Sequence, residues 1–282
     1  MPDFSGKVSG KFDTLTHSQK AVAHYAMEHM DMIAFNTLDD IATKIGVSTT
    51  TIIRFARELG YSGYSDMQKD VQSSIMDKVS LPERFTSKRD SINRDKLLMD
   101  TVQNDIADIT NTLSNISQDS LRQAIDMIAS ARNIYVLGMR SSFALAHYMT
   151  SRLGQIRPGV KLIQSIGMIF PEEMVGAGSE DICIAYLFPR YSKTAANLIL
   201  WLKNMGVRVI LFTSQNYAAV QSYGDVFLPC SVGGVSFKNS FVAPMSLTNY
   251  LAAAVALQDY SGALETLRQT EEFLNKGYYL GL

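Results

Sequence analysis

Hydrophobic positions in the first 80 residues recur at helical spacing and predict a bundle of short helices. The sharpest pattern lies between residues 37 and 60. Thr37 suits a helix N-cap, and Asp40, three residues later, can complete a shortened capping box. Gly46 is predicted to end this helix, and Ser48 to cap a second one. Two helices joined by a glycine-bearing turn form a helix-turn-helix pattern.

In this pattern the second helix lies in the DNA major groove, where its first residues reach base edges. Hydroxyl groups there suit phosphates or bases, and an arginine can bind guanine with two hydrogen bonds. The residues that we predict to contact DNA are Lys44, Ser48, Thr49, Thr50, Thr51, Arg54 and Arg57. The alternative is an ordinary pair of packed helices.

The net charge of the first 80 residues leaves room only for a small, local basic patch as the DNA-binding surface. Residues 1–80 contain 8 Lys plus Arg and 10 Asp plus Glu, so their net charge is 8 − 10 = −2. A DNA-binding domain usually carries a basic patch. We therefore expect modest non-specific affinity and a need for dimers.

A polar segment at 80–95, broken by Pro82, predicts a linker between two domains. The predicted domains are residues 1–79, with an irregular lead-in at 1–15, and residues 96–282. A helical stripe opens the second domain, at Leu97, Leu98, Val102, Ile106, Ile109 and Leu113. This stripe fits either ordinary packing into a core or a partner helix in a dimer, and one stripe does not decide between them.

From residue 133 onward, apolar runs alternate with helical segments. The predicted strands are NIYVLG, VKLIQ, DICIAYLF, VRVILFT and DVFLP. Strands separated by helices imply right-handed crossovers and a parallel sheet with both faces covered. The fold class is therefore two domains, an all-α helix-turn-helix bundle and an α/β domain with a five-stranded parallel sheet flanked by helices.

Ligands of such sheets bind beyond the carboxyl ends of the strands. Three ends carry hydroxyl or cationic residues, at 138–142, 188–194 and 213–214. The first two lead into helices, whose free N-terminal amides favour anions. The predicted effector-binding residues are Gly138, Arg140, Ser141, Ser142, Arg190, Tyr191, Ser192 and Thr194. Simple helix capping by the serines is the alternative.

An enzyme would need an acid or base, for which Glu172, Glu173 and His147 are the candidates. The two glutamates can instead favour a helix N-terminus, and the histidine can lie half-buried on a helix. The sequence has no P-loop, GxSxG elbow or zinc-ligand spacing. We predict no catalytic residue, metal or cofactor, and no enzyme. A scaffold that contacts other proteins through its helical domain is a further alternative.

The location is predicted to be cytoplasmic, without membrane contact. No apolar run approaches the roughly 20 residues that span a bilayer. The N-terminus has no apolar region typical of a secretion signal. Cys183 and Cys230 lie in separate apolar runs, which indicates small core residues in a reducing compartment.

Two stretches of the chain resemble the two domains of a known family. The stretch LTHSQKAVAHYAMEHMDMIAFNTLDDIATKIGVSTTTIIRFARELGYSGYSDMQKDVQ is similar to the N-terminal domain of RpiR-type bacterial transcriptional regulators. It keeps the GVS-x-x-T-x-x-RF-x-x-x-LG rhythm and the aromatic residue after LG. Residues 117–265 resemble the sugar isomerase (SIS) domain that this family carries second.

The resemblance implies DNA-binding domains controlled by a ligand in the SIS domain. Family SIS domains usually bind phosphosugars through a Gly-x-Gly-x-Ser loop and a Ser-x-Ser-Gly-x-Thr loop. In this sequence Gly138 and Ser142 match the first loop, but Arg140 replaces its second glycine. In the second loop Thr194 matches, whereas residues 189, 191 and 192 are Pro, Tyr and Ser.

The leading hypothesis is a transcriptional regulator that binds a double-stranded DNA operator as a homodimer or homotetramer. Its effector is predicted to be a small anionic metabolite, either a phosphosugar or another phosphorylated or carboxylated compound. The alternative is a phosphosugar isomerase-type enzyme with an accessory helical domain.

Overall fold

The computed structural model describes residues 4–76, 81–89, 92–163 and 171–276. The chain divides into two compact units, residues 1–89 with 216–219 and residues 90–215 with 220–282. Each unit has its own hydrophobic core. Among the described residues, no helix has the length and apolar content to cross a membrane.

The described part of the first unit is helical. Its helices are α1 (Phe4–Lys11), α2 (His17–Glu28), α3 (Met30–Phe35), α4 (Leu38–Ile45), α5 (Thr49–Glu58), α6 (Tyr64–Met76) and α7 (Leu81–Arg89). A 3-10 turn, Phe12–Thr14, follows α1. The helix-turn-helix pattern predicted from the sequence corresponds to α4 and α5.

The expectation of an irregular lead-in is wrong for residues 4–11, because α1 belongs to the first core, and residues 1–3 of that lead-in lie outside the described residues. Phe4 and Val8, one helical turn apart, are buried, and α1 packs against α6. The Nζ atom of Lys7 lies 3.3 Å from a carboxylate oxygen of Asp70 and 4.0 Å from the ring centre of Tyr61. Two buried side chains and one ion pair therefore fix a helix that its weak periodicity did not indicate.

Helix α7 lies within the segment 80–95 that the sequence predicts as a linker. Pro82 is the second residue of this helix. A proline is tolerated in a first turn because the amide groups there have no intrahelical partner.

The second unit is an α/β domain. Its helices are α8 (Leu97–Asn115), α9 (Gln118–Ser130), α10 (Phe143–Gly154), α11 (Lys193–Asn204), α12 (Val242–Gln258) and α13 (Tyr260–Leu274), and its strands are β1 (Ile134–Gly138), β2 (Val160–Leu162), β3 (Ile182–Tyr186), β4 (Arg208–Ser214) and β5 (Val226–Cys230). The strands form one parallel sheet in the order β2-β1-β3-β4-β5. The prediction of a five-stranded parallel sheet is confirmed.

The two cysteines are free and buried in this sheet, Cys183 in β3 and Cys230 in β5. Burial raises the pKa of the Cys183 thiol to about 12 and raises that of Cys230 as well. Thiols of this kind are protonated and unreactive at neutral pH. The described residues include no cluster of His, Cys, Asp or Glu that could hold a metal ion.

The amino edge of the sheet is held together by the buried carboxylate of Asp181. The Arg132 guanidinium donates to both of its oxygens, at 2.9 and 2.6 Å. The backbone amides of Asn133 and Gly178 donate to it at 3.0 and 2.9 Å. The hydrogen bonds from Arg132, and then those from Asn133 and Gly178, hold the pKa of Asp181 at about 2. This carboxylate is a structural anchor between β1 and β3.

Candidate DNA-binding helix and effector site

The turn between α4 and α5 is fixed by local hydrogen bonds. The Thr37 hydroxyl accepts from the Asp40 amide at 3.2 Å, and the Asp40 carboxylate accepts from the Thr37 amide at 3.4 Å. This is the predicted capping box. Gly46 ends α4 with φ 75°, a left-handed conformation that glycine adopts without strain. Ser48 then caps α5 by accepting from the Thr51 amide at 3.2 Å.

Helix α5 has one face in the core and the other toward solvent. Ile52 and Phe55 are fully buried in the first core. Arg54 and Arg57 lie on the exposed side, and the Arg57 Nε atom donates to the Ser62 carbonyl oxygen at 3.5 Å. Among the described residues Arg54 has no hydrogen bond or ion pair. A helix with this division can present its outer face to a DNA groove.

The other predicted DNA contacts surround these arginines. Thr50 and Lys44 are exposed, whereas Thr49 and Thr51 are half-buried. The hydroxyl oxygens of Ser48 and Thr51 lie 2.9 Å apart and hydrogen-bond to each other. These two hydroxyls therefore take part in the N-cap of α5, and any contact with DNA would be an additional role.

The loops after β1 and β3 lie side by side at the carboxyl edge of the sheet. Gly138, the last residue of β1, pairs with Tyr186 of β3, which pairs with Phe212 of β4. In the strand order 2-1-3-4-5 the direction of the crossovers reverses between β1 and β3, and ligands bind in the crevice at this point. The two predicted effector loops therefore flank the crevice that this topology creates.

Gly138 is required by the close return of the chain after β1. A Cβ atom at this position would lie 2.3 Å from the carbonyl oxygen of Ser142 and 3.0 Å from the Cβ of Ala146. Residues 140–142 form a 3-10 turn that leads directly into α10. Gly138 thus allows the turn and the first residues of α10 to close over the end of β1.

Both arginines of the effector loops have left-handed backbones. Arg140 has φ 55° and Arg190 has φ 65°. They are the only described non-glycine residues with positive φ. This conformation costs a residue with a side chain about 1–2 kcal/mol. Such residues cluster at functional sites.

The two guanidinium groups are also unpaired. Arg140 and Arg190 are exposed, and neither side chain has a hydrogen bond or ion pair with another described residue. Lys193, at the start of α11, is also exposed, and its side chain likewise has no hydrogen bond or ion pair with another described residue. Three cations near one sheet edge therefore have no anion of their own.

Thr213 is a residue of this edge that the predicted site does not include. It is fully buried in β4, and its hydroxyl oxygen has no hydrogen-bond partner. It lies inside the strand, so it caps no helix. Ser142 is nearly as buried, and its hydroxyl has no hydrogen-bond partner among the described residues. Unsatisfied buried hydroxyls are rare in proteins and call for a missing partner. The sequence signal that could have placed Thr213 in the site is its position near the end of a predicted strand.

The remaining predicted effector residues vary in exposure. Ser192 is the N-cap of α11, and its hydroxyl accepts from the Ala195 amide at 3.3 Å. Thr194 and Ser141 are exposed, and Tyr191 is half-buried. The capping role expected as an alternative for the serines thus applies to Ser192.

The three candidate acid–base residues do not converge. His147 is exposed on α10, where its ring lies 6.3 Å from that of Phe143. Glu172 and Glu173 are exposed on a 3-10 turn, Pro171–Met174. Two residues after that turn, the carbonyl of Gly176 accepts from Arg132 at the amino edge of the sheet. The glutamates thus approach the edge opposite the effector loops.

Comparison with known proteins assigns both units. The model of the helix-turn-helix domain, rpiR family, matches residues 4–78, and the model of the SIS domain matches residues 127–254. An uncharacterized HTH-type transcriptional regulator of Haemophilus influenzae is 22% identical over 79% of this chain and 77% of its own length.

Solved structures share the fold. The sugar isomerase domain of an RpiR transcription factor from Sphaerobacter thermophilus matches 63% of this chain and 99% of its own, with TM-score 0.59 and 21% identity. The Vibrio vulnificus NanR protein, complexed with ManNAc-6P, matches 96% of this chain and 97% of its own, with TM-score 0.58 and 18% identity. The chain therefore belongs to the RpiR-type transcriptional regulators, which join a helix-turn-helix domain of the rpiR family to a SIS domain.

Proposed function

We propose that this regulator binds a two-fold operator through α5 and that a small anionic metabolite, bound at the carboxyl edge of the sheet, controls this binding. The supporting observation is the pair of strained, unpaired arginines, Arg140 and Arg190, at the β1/β3 crevice. An anion would pair both guanidinium groups, which bind carboxylate and phosphate oxygens with two hydrogen bonds each.

The effector is proposed to be a phosphosugar or another phosphorylated or carboxylated compound. NanR, which shares the fold, is complexed with ManNAc-6P, a phosphorylated ligand. The Ser142 hydroxyl and the buried, unbonded Thr213 hydroxyl offer uncharged hydrogen-bond partners at the same edge as the arginines. No base is needed, because an effector acts by binding two states with different affinity. The proposed location is the cytoplasm.

The test measures binding of wild type, Arg54→Ala and Arg190→Ala to the DNA upstream of the gene, by fluorescence anisotropy at fixed salt. Arg54→Ala is expected to lose about 1–3 kcal/mol of specific affinity and to relax the preference at one base pair. Lys20→Ala, which removes one positive charge from α2, is the control for general electrostatics and is expected to keep that preference.

Arg190→Ala is expected to bind the operator like wild type but to lose the response to its effector. The ligands tested are ManNAc-6P, other sugar phosphates and carboxylated sugars. Arg208→Ala, at the opposite edge of the sheet, is the matched control. Equal binding of Arg54→Ala and wild type would refute the DNA contact, and an unchanged effector response in Arg190→Ala would refute the site. Conversion of an aldose phosphate to a ketose phosphate by the wild type would support the isomerase alternative.

A further inference from the structure

Arg140 and Arg190 lead into helices that lie on opposite faces of the sheet. Met149 of α10 packs in the same core cluster as Phe212 of β4. Helix α11 also packs on β3 and β4, but its buried residue Ile199 lies outside that cluster. Right-handed crossovers that run in opposite directions along a sheet place their helices on opposite faces in this way. The two arginines therefore flank the crevice from its two sides.

The α11 side of the crevice offers partners for one acidic group. Phe212 faces the α10 side, and side chains alternate along a strand, so Thr213 faces the α11 side. Its fully buried hydroxyl has no hydrogen-bond partner. Arg190 and Lys193 add two positive charges where α11 begins. Two cations and an unbonded hydroxyl suit the three terminal oxygens of a phosphate group.

The α10 side offers a second and separate set of partners. Arg140 is the first residue of the 3-10 turn that leads into α10. Ser142, at the N-cap position of α10, makes no side-chain cap hydrogen bond, whereas Ser192 caps α11 with its hydroxyl. This side therefore has one guanidinium group and one hydroxyl that the helix cap does not use.

The backbone of Arg140 indicates that its guanidinium group has a role of its own. Its φ of 55° is a conformation that glycine adopts without strain, whereas a residue with a Cβ atom pays about 1–2 kcal/mol for it. The same strain recurs at Arg190, with φ 65°. Strained residues of this kind persist at binding sites. One strained arginine on each side of the crevice therefore favours one ligand group for each.

The charge of the two loops leads to the same conclusion. Arg140, Arg190 and Lys193 carry three positive charges, and the segments 139–142 and 187–194 contain no Asp or Glu. A phosphate monoester carries a charge of about −1.5 to −2 at neutral pH. A carboxylate on the same molecule adds about one further negative charge. A phosphorylated acid therefore matches the three cations, whereas a single phosphate group does not.

We infer that the effector carries two acidic groups, a phosphate bound by Arg190 on the α11 side and a carboxylate bound by Arg140 on the α10 side. A guanidinium group binds a carboxylate with two parallel hydrogen bonds, which suits the single arginine of the α10 side. The inference rests on the proposed function. It narrows the effector from any small anion to a phosphorylated acid, and it makes Arg140 the residue that selects the second acidic group.

The first test compares two compounds that differ in one acidic group, 6-phosphogluconate and glucitol 6-phosphate. Both have a six-carbon chain with a phosphate at one end, and only the first has a carboxylate at the other. Calorimetric titration of the full chain without DNA measures each affinity. Wild type is expected to bind 6-phosphogluconate about tenfold more tightly, because only this compound pairs with Arg140. The pair 3-phosphoglycerate and glycerol 1-phosphate repeats the comparison on a three-carbon chain.

Variants assign the two acidic groups to the two arginines. Arg140→Gly removes the guanidinium group without straining the backbone, and it is expected to bind both members of a pair alike. Arg190→Gly is expected to weaken both members about tenfold, because the phosphate loses its partner. Arg208→Ala, at the opposite edge of the sheet, is the control and is expected to keep the wild-type preference. Circular dichroism verifies that each variant is folded.

A second test counts the acidic groups without assuming a carbon skeleton. Inorganic phosphate is the probe, and sodium chloride keeps the ionic strength constant. The slope of unfolding free energy against the logarithm of phosphate concentration reports the number of ions bound. Wild type is expected to show about twice the slope of Arg140→Gly or of Arg190→Gly.

The outcomes separate this inference from the proposed function. Equal affinity of wild type for both members of each pair, or a preference that survives in Arg140→Gly, would overturn the inference and leave a singly charged effector. Equal phosphate slopes in wild type and Arg140→Gly would overturn it as well. A wild type that binds none of the four compounds and is not stabilised by phosphate would refute the anion site of the proposed function itself.

Discussion

Both edges of the sheet contain arginines and a buried polar side chain. Those at the amino edge are hydrogen-bonded to each other, whereas those described at the carboxyl edge have no partner. At the amino edge, Arg132 is paired with Asp181, and both oxygens of that carboxylate accept hydrogen bonds. At the carboxyl edge, Arg140 and Arg190 are strained and unpaired, and Thr213 is buried without a partner.

This difference separates a stabilising role from a binding role. A satisfied buried network contributes to the stability of the fold. Left-handed arginines and an unbonded buried hydroxyl cost free energy, and a protein retains them where a ligand supplies the missing partner. The comparison can be tested by variants that separate stability from effector response.

The largest expected effect is the loss of the amino-edge anchor. Asp181→Ala would remove the acceptor of the Asn133 and Gly178 backbone amides and of the Arg132 Nε group, which costs about 3 kcal/mol of unfolding free energy. Urea denaturation measures this change. Glu180→Ala is the control, because its carboxylate is exposed and 3.7 Å from Arg132, and it is expected to cost less than about 1 kcal/mol. A cost for Asp181→Ala no larger than the control would contradict the anchoring role.

The same anchor predicts a loss of stability in acid. The pKa of Asp181 falls from its ordinary value of 3.8 to about 2 in the folded protein. Its contribution is therefore fully present above about pH 4 and is lost as the pH falls toward 2. Urea midpoints at pH 6, 4 and 3 are expected to converge between wild type and Asp181→Ala. Parallel curves over this range would refute the prediction.

A smaller effect separates the backbone strain at Arg190 from its charge. Arg190→Gly and Arg190→Ala both remove the guanidinium, and both are expected to lose the effector response. Glycine adopts φ 65° freely whereas alanine does not, so Arg190→Gly is expected to be more stable than Arg190→Ala by about 1 kcal/mol. Thermal denaturation compares the two. Equal stability would show that the left-handed backbone carries little strain.

The smallest expected effect on stability is that of Thr213→Val. Valine has nearly the same shape and removes the unbonded hydroxyl, so stability is expected to stay within about 1 kcal/mol of wild type. Effector affinity is expected to fall, because a hydrogen bond to the ligand is lost. Calorimetric titration with the effector that the DNA assay identifies measures this fall. An unchanged affinity would remove Thr213 from the site.

The sequence predicts the helix-turn-helix unit well because its signals are local. Thr37 with Asp40, Gly46 and Ser48 act through neighbours within a few residues, and the structure confirms these caps. The parallel sheet follows equally from alternating apolar runs. These elements need no knowledge of distant contacts.

The features that the sequence does not reveal depend on the three-dimensional structure. The buried state of Thr213 requires the neighbouring strands, and the left-handed arginines require the turns around them. Most of the apolar stripe of α8 is exposed and does not pack into the core, because the serines at 231 and 240, more than 100 residues away, bind the polar face of the helix. Helical periodicity alone shows that a stripe exists, but not which side meets the core.

The hydrogen bonds on the inner face of α8 also have a thermodynamic consequence. They tie the helix to the loop after β5, and Gln215, just past β4, donates to the Asn111 carbonyl at 3.3 Å. The helix therefore adjoins the carboxyl edge of the sheet, where we propose that the effector binds. Linkage between two binding sites is reciprocal. If the effector changes the affinity of the regulator for its operator by some factor, binding of the operator changes the affinity of the regulator for the effector by the same factor. Under the proposed function, the promoter therefore sets the metabolite concentration to which its regulator responds.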